Sequence, residues 1–534
     1  MNLFFTAFNK YKGKDDKNQA FTPDHITHFM CKVIGVDYTK RLFDGTCGSG
    51  SFLVQGMVLE LADLNKQKLT KTQKEMMCKK IAKNNIYGIE IEEQAFGLAI
   101  TNMLIHGNGN SNIKNTNIFD SEDFIREANP DIILMNPPYN AKPITIPETY
   151  KSGWKKDAKE DPTKGMVFLK FVSDVIKKMN NERINNGETK KEVKLAILLP
   201  VSTAIGTSKF ITNMKSELLE DNTLDAVFTL PNEIFSPGAS ASVCCMIFTL
   251  GKPHQNSDGT VNKTFFGYYK DDGHKKKKNL GRVEQFDKNN NSIWKKIEEE
   301  WLDLYRNKII KDGMSAMQAV SGNDEWLCEA YMKTDYSKLS AADFQKAVNN
   351  YLAYMVITKN KSRQTLDLKI DSWKEFSVGD LFSSIIKGKC DNASNLIDGN
   401  EINYIGAKYN NNGLMKSCAK SENIDFISPG NCIAMIGQGE GSAGYAIYLD
   451  SDFIGASSLN LGYADWINSY TAHFVTTILC QEYDKYSFGR SWTGDRLKNT
   501  IIKLPVDSKG KPDWKFMKGY IKSLSCVDGL NNWI

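Results

Sequence analysis

The chain has no Cys-x-x-Cys pair among its eleven cysteines, no regular cysteine spacing and no apolar N-terminal segment of the secretory kind. Evenly spaced or paired cysteines would mark a disulfide framework or a metal site, so their absence points to reduced thiols in a cytoplasmic protein. No apolar run approaches the roughly 18 residues of a membrane span, and no membrane association is expected. His25 and His28 form a lone His-x-x-His with no matching cysteine or carboxylate pattern, so no metal is expected. Charge of one sign is scarce as well. A net +5 from 68 basic and 63 acidic residues is too small to indicate a nucleic-acid partner by itself. The one local excess, Lys275 to Lys278, reads either as a solvated loop or as a phosphate contact. No repeat of fixed period is present, and no low-complexity stretch is longer than that lysine run.

What is present is ordinary globular material: 534 residues, 41% hydrophobic, 25% charged, with 27 Phe. At roughly 100–200 residues per domain this length implies two to four domains. Short apolar runs alternate with helical patterns at Arg41 to Phe43, Ile86 to Ile91, Asp131 to Met135, Leu195 to Leu199, Ala226 to Leu230 and Val243 to Leu250. That alternation predicts an open α/β sheet, with the last two runs forming a hairpin that closes it. From about residue 290 the pattern becomes amphipathic helix, with Trp294, Ile297, Trp301, Leu302, Leu304 and Tyr305 near helical spacing. From Leu366 to about Val506 it becomes short strands punctuated by Gly, Asn and Ser. The expected organisation is an α/β domain over 1–290, a helical spacer over 291–365, and a mostly β domain over 366–534 ending in a short helix near Trp514 to Leu524.

Three stretches carry chemistry. In Asp44-Gly-Thr-Cys-Gly-Ser-Gly50 a strand runs into a glycine-rich turn, where Gly48 and Gly50 let a ligand approach the backbone and Asp44 supplies an acceptor or counter-charge. Leu53 stands where a dinucleotide fingerprint would place its third glycine, which argues against a nicotinamide cofactor. Glu90, at the end of the next strand, suits a carboxylate gripping two ribose hydroxyls, or is simply a solvated acid. After a third strand comes Asn136-Pro137-Pro138-Tyr139. Two prolines fix the backbone and remove two donors, leaving the Asn136 side-chain oxygen and a carbonyl such as that of Pro137 as acceptors, with Tyr139 as a flat face. Taken alone, the tetrapeptide is better explained as a rigid turn at a strand end.

Together these residues resemble the N6-adenine DNA methyltransferases of restriction-modification systems, most nearly the type I modification subunit, with a Rossmann-like methyltransferase sheet. The resemblance implies S-adenosylmethionine as methyl donor and no metal. In Ala20-Phe-Thr-Pro23 it makes Thr22 and Pro23 cofactor contacts; in the glycine turn it departs from the family's Asp-Pro-Ala-Cys-Gly-Ser-Gly only at Gly45 and Thr46. It makes Glu90 the ribose ligand and Asn117 a contact to the cofactor's adenine, with Asp120 as the rival. Phe235 would help to sandwich the target base, or is a core Phe beside a strand. The amine of adenine is a poor nucleophile because its lone pair is delocalised, and two acceptors on its hydrogens favour a pyramidal nitrogen. Catalysis would then rest on positioning and electrostatics. The amine is hidden in duplex DNA, so a flipped base stacked on Tyr139 is expected.

The resemblance continues through Glu325-Trp-Leu and Asp343-Phe. From Leu366 onward Trp373-Lys-Glu-Phe-Ser-Val-Gly-Asp-Leu-Phe, Ile427-Ser-Pro-Gly-Asn and Arg496-Leu-Lys-Asn-Thr-Ile-Ile-Lys-Leu-Pro505 resemble a target recognition domain of a type I specificity subunit. Such a domain would read double-stranded DNA in the major groove through Lys387, Lys389, Lys408, Gln438, Arg490 and Arg496; otherwise it is a partner surface. The family places a helical domain before the Phe-Thr-Pro segment, where this sequence has about twenty residues. A second methyltransferase or specificity subunit, or a homodimer, is therefore expected, and cleavage would come from a separate restriction subunit. The resemblance places the enzyme in a bacterial or archaeal cytoplasm, on the nucleoid. The rival functions are methylation of a protein glutamine or of a cytosine amino group, and a non-catalytic DNA-binding subunit.

Overall fold

Leu42 to Asp44, Ile86 to Glu90 and Ile132 to Met135 are buried at every position. Strands without a polar face belong at the parallel centre of a sheet covered by helices on both sides. The computed structural model describes residues 22–107, 112–155, 157–236, 241–277, 281–355, 366–439, 441–487 and 489–524. It places those runs as β1 (Leu42–Asp44), β2 (Ile86–Glu90) and β4 (Ile132–Met135) of a nine-stranded sheet. The others are β3 (Asn112–Asn115), β5 (Val193–Pro200), β6 (Asn222–Thr229), β7 (Val243–Leu250), β8 (Lys263–Tyr268) and β11 (Ser315–Ala319). The order is β11-β8-β6-β7-β5-β4-β1-β2-β3. β7 is antiparallel to both neighbours and β11 to β8, while the remaining pairs are parallel. The expected hairpin is therefore present as β6 and β7, but it does not close the sheet: β7 inserts between β5 and β6, and β8 and β11 extend beyond them.

Alternation along each strand builds two cores. Ile133 and Met135 face one side with Phe43, Phe124 and Val172; Ile132 and Leu134 face the other with Leu42, Phe29 and Leu53. The parallel strands all end at one edge, carrying Asp44, Glu90, Asn136 and the loop after Thr229 to the same rim. This is where open α/β sheets bind ligands.

Within the expected spacer over 291–365, the helices of the described part, 291–355, each pack into a core, and residues 356–365 lie outside the described residues. The helix Ile293–Arg306 lays Trp294, Trp301, Leu302 and Leu304 into the second core of the sheet, and β11 pairs with β8. The helix Ala341–Met355 packs Phe344, Val348 and Tyr351 in a different core with Phe474 and Tyr520. An amphipathic stripe demands a partner surface but does not say which one. Accordingly the chain divides into two units, Met1–Lys333 and Thr334–Ile534.

The second unit is mostly strands, as expected. One four-stranded sheet holds β13 (Ser384–Lys387), β17 (Cys432–Ile436), β18 (Ala446–Leu449) and β20 (Leu459–Tyr463). Another holds β14 (Asp398–Ile405), β15 (Leu414–Cys418), β16 (Ile427–Ser428) and β19 (Phe453–Gly455). β12 (Lys374–Ser377) pairs with β21 (Ile501–Leu504), and the expected terminal helix is Trp514–Ser523.

Candidate active site

At the rim, Asp44 leaves β1 and is 1% exposed. Its Oδ1 accepts from the Thr46 N–H at 3.0 Å, while Oδ2 is buried with no hydrogen-bond partner, as is Thr46 Oγ1. Glu90 leaves β2 alongside, its two oxygens accepting from the N–H groups of Gly48 and Glu92, each at 2.8 Å. The turn between is left-handed at Gly48 (φ 53°) and Gly50 (φ 83°), a region that strains any residue with a Cβ. Burial pushes the Asp44 carboxyl well above the ordinary range, and the neighbouring Glu90 charge adds to this; burial raises Glu90 too. Among the described residues no basic side chain is ion-paired with either. Of the four oxygens of these two buried carboxylates, three accept a backbone N–H and one, Asp44 Oδ2, is orphaned, with no cation beside them.

Asn117 lies beside this wall, because Thr116 N–H donates to the Glu90 carbonyl at 3.1 Å. Its own amide is used locally: Nδ2 donates to the Thr145 carbonyl at 2.7 Å and Oδ1 accepts from Phe119 N–H at 3.3 Å. Asp120 is exposed.

Asn136 follows β4. Its Nδ2 donates to Thr22 Oγ1 at 3.0 Å, and its Oδ1 accepts from the Tyr139 hydroxyl at 3.0 Å. Thr22 thus orients the amide with its oxygen on the Tyr139 side. Pro137 is buried, Pro138 exposed and Tyr139 half-buried, its hydroxyl pKa raised by burial. Gly165, at φ 97°, permits the close approach of the next helix: a Cβ there would lie 3.2 Å from Pro137 Cγ. Buried Asp161 holds that turn by accepting from Thr163 and Gly165 N–H at 2.7 and 2.8 Å. In the sequence this support is marked only by the Pro- and Gly-containing turn Asp161-Pro-Thr-Lys-Gly165. Phe235 is buried in the same core against which Tyr139 packs.

Pro23 caps the helix Asp24–Val33, which is fixed by contacts the sequence does not reveal. His28 Nδ1 lies 2.6 Å from Glu298 Oε1, and Lys32 donates to Glu298 Oε2 at 2.8 Å. His25 Nε2 lies 2.9 Å from Asp272 Oδ2, and its ring stacks on that of His274 at 3.9 Å. His25, Asp272 and His274 have ligand atoms within 4.8 Å of one another, a spacing that a metal could use. The Arg282 guanidinium already occupies Asp272, and His274 Nδ1 pairs with the Asp272 carbonyl at 2.7 Å. The cluster therefore acts as a protein-internal clamp on the helix that follows Thr22.

Residues 2–360 match the N-6 DNA Methylase family, about two thirds of the chain. The chain belongs to the N-6 DNA methylase family. Residues 370–534 of this methylase match the type I restriction modification DNA specificity domain. Among curated relatives it is similar to the type II restriction enzyme and methyltransferase RM.BcgI of Heyndrickxia coagulans, 28% identical over 359 residues, 66% of this chain and 48% of the relative. The specificity subunit S.BcgI of that organism is 30% identical over 160 residues, 29% of this chain and 44% of the relative. The chain spans about half the length of the curated relatives it matches. A solved modification subunit of a putative type I restriction enzyme from Vibrio vulnificus YJ016 is 17% identical, covering 60% of this chain and 59% of that one, with a TM-score of 0.43.

In the specificity domain of the methylase, Lys387, Lys389, Lys408 and Gln438 are exposed. Gly388 is required between the two lysines, since a Cβ would meet the Ala456 carbonyl at 2.1 Å. Lys389 also donates to the Ile427 carbonyl at 2.8 Å. The loops of Lys408 and Gln438 touch, a Cβ on Gly439 falling 2.8 Å from the Ala407 carbonyl. Arg490 is a correction to the expected DNA contacts. It is 4% exposed, donates to the Lys485 carbonyl at 2.8 Å and lies over the Tyr486 ring, so it braces its loop from inside. Arg496 is half-buried and donates to the Ser491 carbonyl at 2.9 Å. Among the described residues no helix is long and apolar enough to cross a membrane.

Proposed function

We propose that this methylase transfers a methyl group from S-adenosylmethionine to the 6-amino group of an adenine flipped out of duplex DNA. The observation that carries the reading is the pairing of two half-sites on one rim: the cation-free carboxylates of Asp44 and Glu90 with one orphaned oxygen, and Asn136 held by Thr22 with its oxygen beside Tyr139. The wall fits the cofactor, for a sulfonium and an ammonium group supply the cation that it lacks and ribose hydroxyls supply donors beyond the three backbone N–H groups, one of them for the orphaned Asp44 Oδ2. When bound, that cofactor supplies an already activated methyl. Asp44 and Glu90 would anchor it, with Thr22, Pro23 and Asn117 beside them. Asn136 Oδ1 and the Pro137 carbonyl would accept the two amine hydrogens, and Tyr139, with Phe235, would hold the base plane. Turning toward the base, the Tyr139 ring gives up its bond to Asn136 Oδ1 and frees that acceptor. No basic side chain is needed to hold the amine, and the chemistry rests on orientation and electrostatics.

The specificity-domain match favours DNA over a protein glutamine as substrate. Lys387, Lys389, Lys408, Gln438 and Arg496 would face the duplex. The remaining partners are proposals of the same standing: a homodimer or a second modification or specificity subunit, and a separate restriction subunit. Cytoplasmic action on the nucleoid follows from the substrate. The test is expression in a methylation-free host followed by modification-sensitive sequencing. Methyladenine at a defined site is expected, and Asn136→Ala should abolish it while duplex binding persists. Equal methylation by the two proteins would sink the mechanism.

A further inference from the structure

We infer that the hairpin of β9 (His274–Lys277) and β10 (Gly281–Glu284) is a DNA-backbone clamp beside the target-base pocket, with Lys275 and Lys277 as its phosphate contacts. This rests on duplex DNA being the substrate.

On one face of the hairpin the side chains contact neighbouring segments, although Lys276 there stays exposed, and on the other they carry no ion pair among the described residues. In a strand, alternate residues point to opposite sides. His274 and Lys276 share the inner side, where His274 stacks on His25 and Lys276 Nζ donates to both carboxylate oxygens of Glu233 at 2.8 and 2.9 Å. Lys275 and Lys277 share the outer side. Their cross-strand partners are Val283 and Gly281, which carry no charge. Both lysines are exposed, and among the described residues neither has an ion-pair partner. A run of lysines that only keeps a loop in solution needs no such sorting. Here one lysine pairs with Glu233 and two are left facing outward on the opposite side of the strand.

Position adds the second argument. β8 runs parallel to β6, so the hairpin that follows β8 emerges at the same rim as Asn136 and the loop after Thr229. It is tied to that loop at two points, and the segment leading into it at a third. Besides Lys276 on Glu233, Arg282 Nη1 donates to the Asn232 carbonyl at 3.2 Å and Lys270 Nζ to Asn232 Oδ1 at 3.0 Å. Phe235 belongs to this loop. A duplex held on the outer lysines would therefore be registered against the segment carrying the proposed base-sandwiching ring. Phosphate contacts of this kind set position, not sequence.

The test compares Lys275→Gln/Lys277→Gln with Lys66→Gln/Lys68→Gln. The second pair removes the same charge from exposed sites at the end of the helix Ser51–Lys66, which runs back from β1 to the opposite rim. Binding to a random-sequence duplex is followed against salt, and methyl transfer to genomic DNA from a methylation-free host against DNA concentration. Each lost phosphate contact lowers the log-affinity slope by about 0.9, so the hairpin variant should lose about 1.8. Its affinity deficit should then shrink roughly tenfold between about 50 and 200 mM salt. KM for DNA should rise with kcat at saturation unchanged, and the control pair should leave both slope and KM near wild type. A wild-type slope in the hairpin variant, or an equal loss in the control pair, overturns the clamp while leaving the methylase reading intact. Failure of the wild-type protein to methylate any DNA overturns both.

Discussion

Replacing Asp44 by Asn should stabilise the cofactor-free protein and abolish its response to S-adenosylmethionine. Asp44 is buried with Oδ2 unpartnered, beside a second buried carboxylate, and its pKa is raised well above the ordinary range by burial and then by Glu90. The sign follows from that direction. The unfolded Asp loses its proton near pH 3.9, whereas the folded one holds it to higher pH. Stability is therefore lost as pH rises through that window and stays lost above the folded pKa. Asn keeps the acceptor for Thr46 N–H but carries no charge. The relief should be of the order of a buried unsatisfied polar group, ~1–3 kcal/mol. At about 2 °C per kcal/mol for a large domain, this is ~2–6 °C in melting temperature at pH 8. The gain should diminish toward pH 5. With ligand at one hundred times its dissociation constant the wild type gains about 2.7 kcal/mol, and Asp44→Asn should gain almost none. Thermal melts at the two pH values, with and without S-adenosylmethionine, decide it. A variant less stable than wild type without ligand, or one with an undiminished ligand shift, refutes the reading of Asp44 as an uncompensated anion awaiting a cation.

Two further outcomes are expected. Thr22→Val removes the acceptor that orients the Asn136 amide, at a cost of about 0.5–1.5 kcal/mol for one hydrogen bond. It should lower kcat roughly 2- to 13-fold with KM for DNA unchanged, whereas Thr22→Ser should restore kcat; a loss confined to KM would assign Thr22 to binding instead. Against the upward pull of burial, the hydrogen bonds and charges of His28 and Lys32 hold the Glu298 carboxyl below its ordinary range. Stability from this group is present above the unfolded pKa and lost as pH falls through the folded one. Glu298→Gln should therefore flatten the acid limb of a denaturant-midpoint profile below about pH 4.3, and an unchanged limb would rule out the clamp as a source of acid sensitivity.

The parallel strands, the turn after β1 and the tetrapeptide after β4 are legible in the sequence alone. Each is a local pattern: continuous apolar runs, glycines at left-handed positions, and prolines that stop a strand. The order of the motifs, and hence the family, is legible there too. Tertiary structure decided what depends on distance along the chain. Thr22 and Asn136 are 114 residues apart, and His25 and Asp272 are 247 apart, so no spacing rule could join them. The amphipathic pattern after residue 290 was legible as helix, but its destination was not, because a stripe is satisfied equally by the methylase sheet and by the second unit. Arg490 looked like a DNA contact because arginine in a polar loop usually is exposed; only packing against Tyr486 and the Lys485 carbonyl turned it inward. The lysine run gave charge without direction; strand alternation together with Glu233 sets Lys276 on one side and Lys275 and Lys277 on the other, while Lys278 lies outside the described residues.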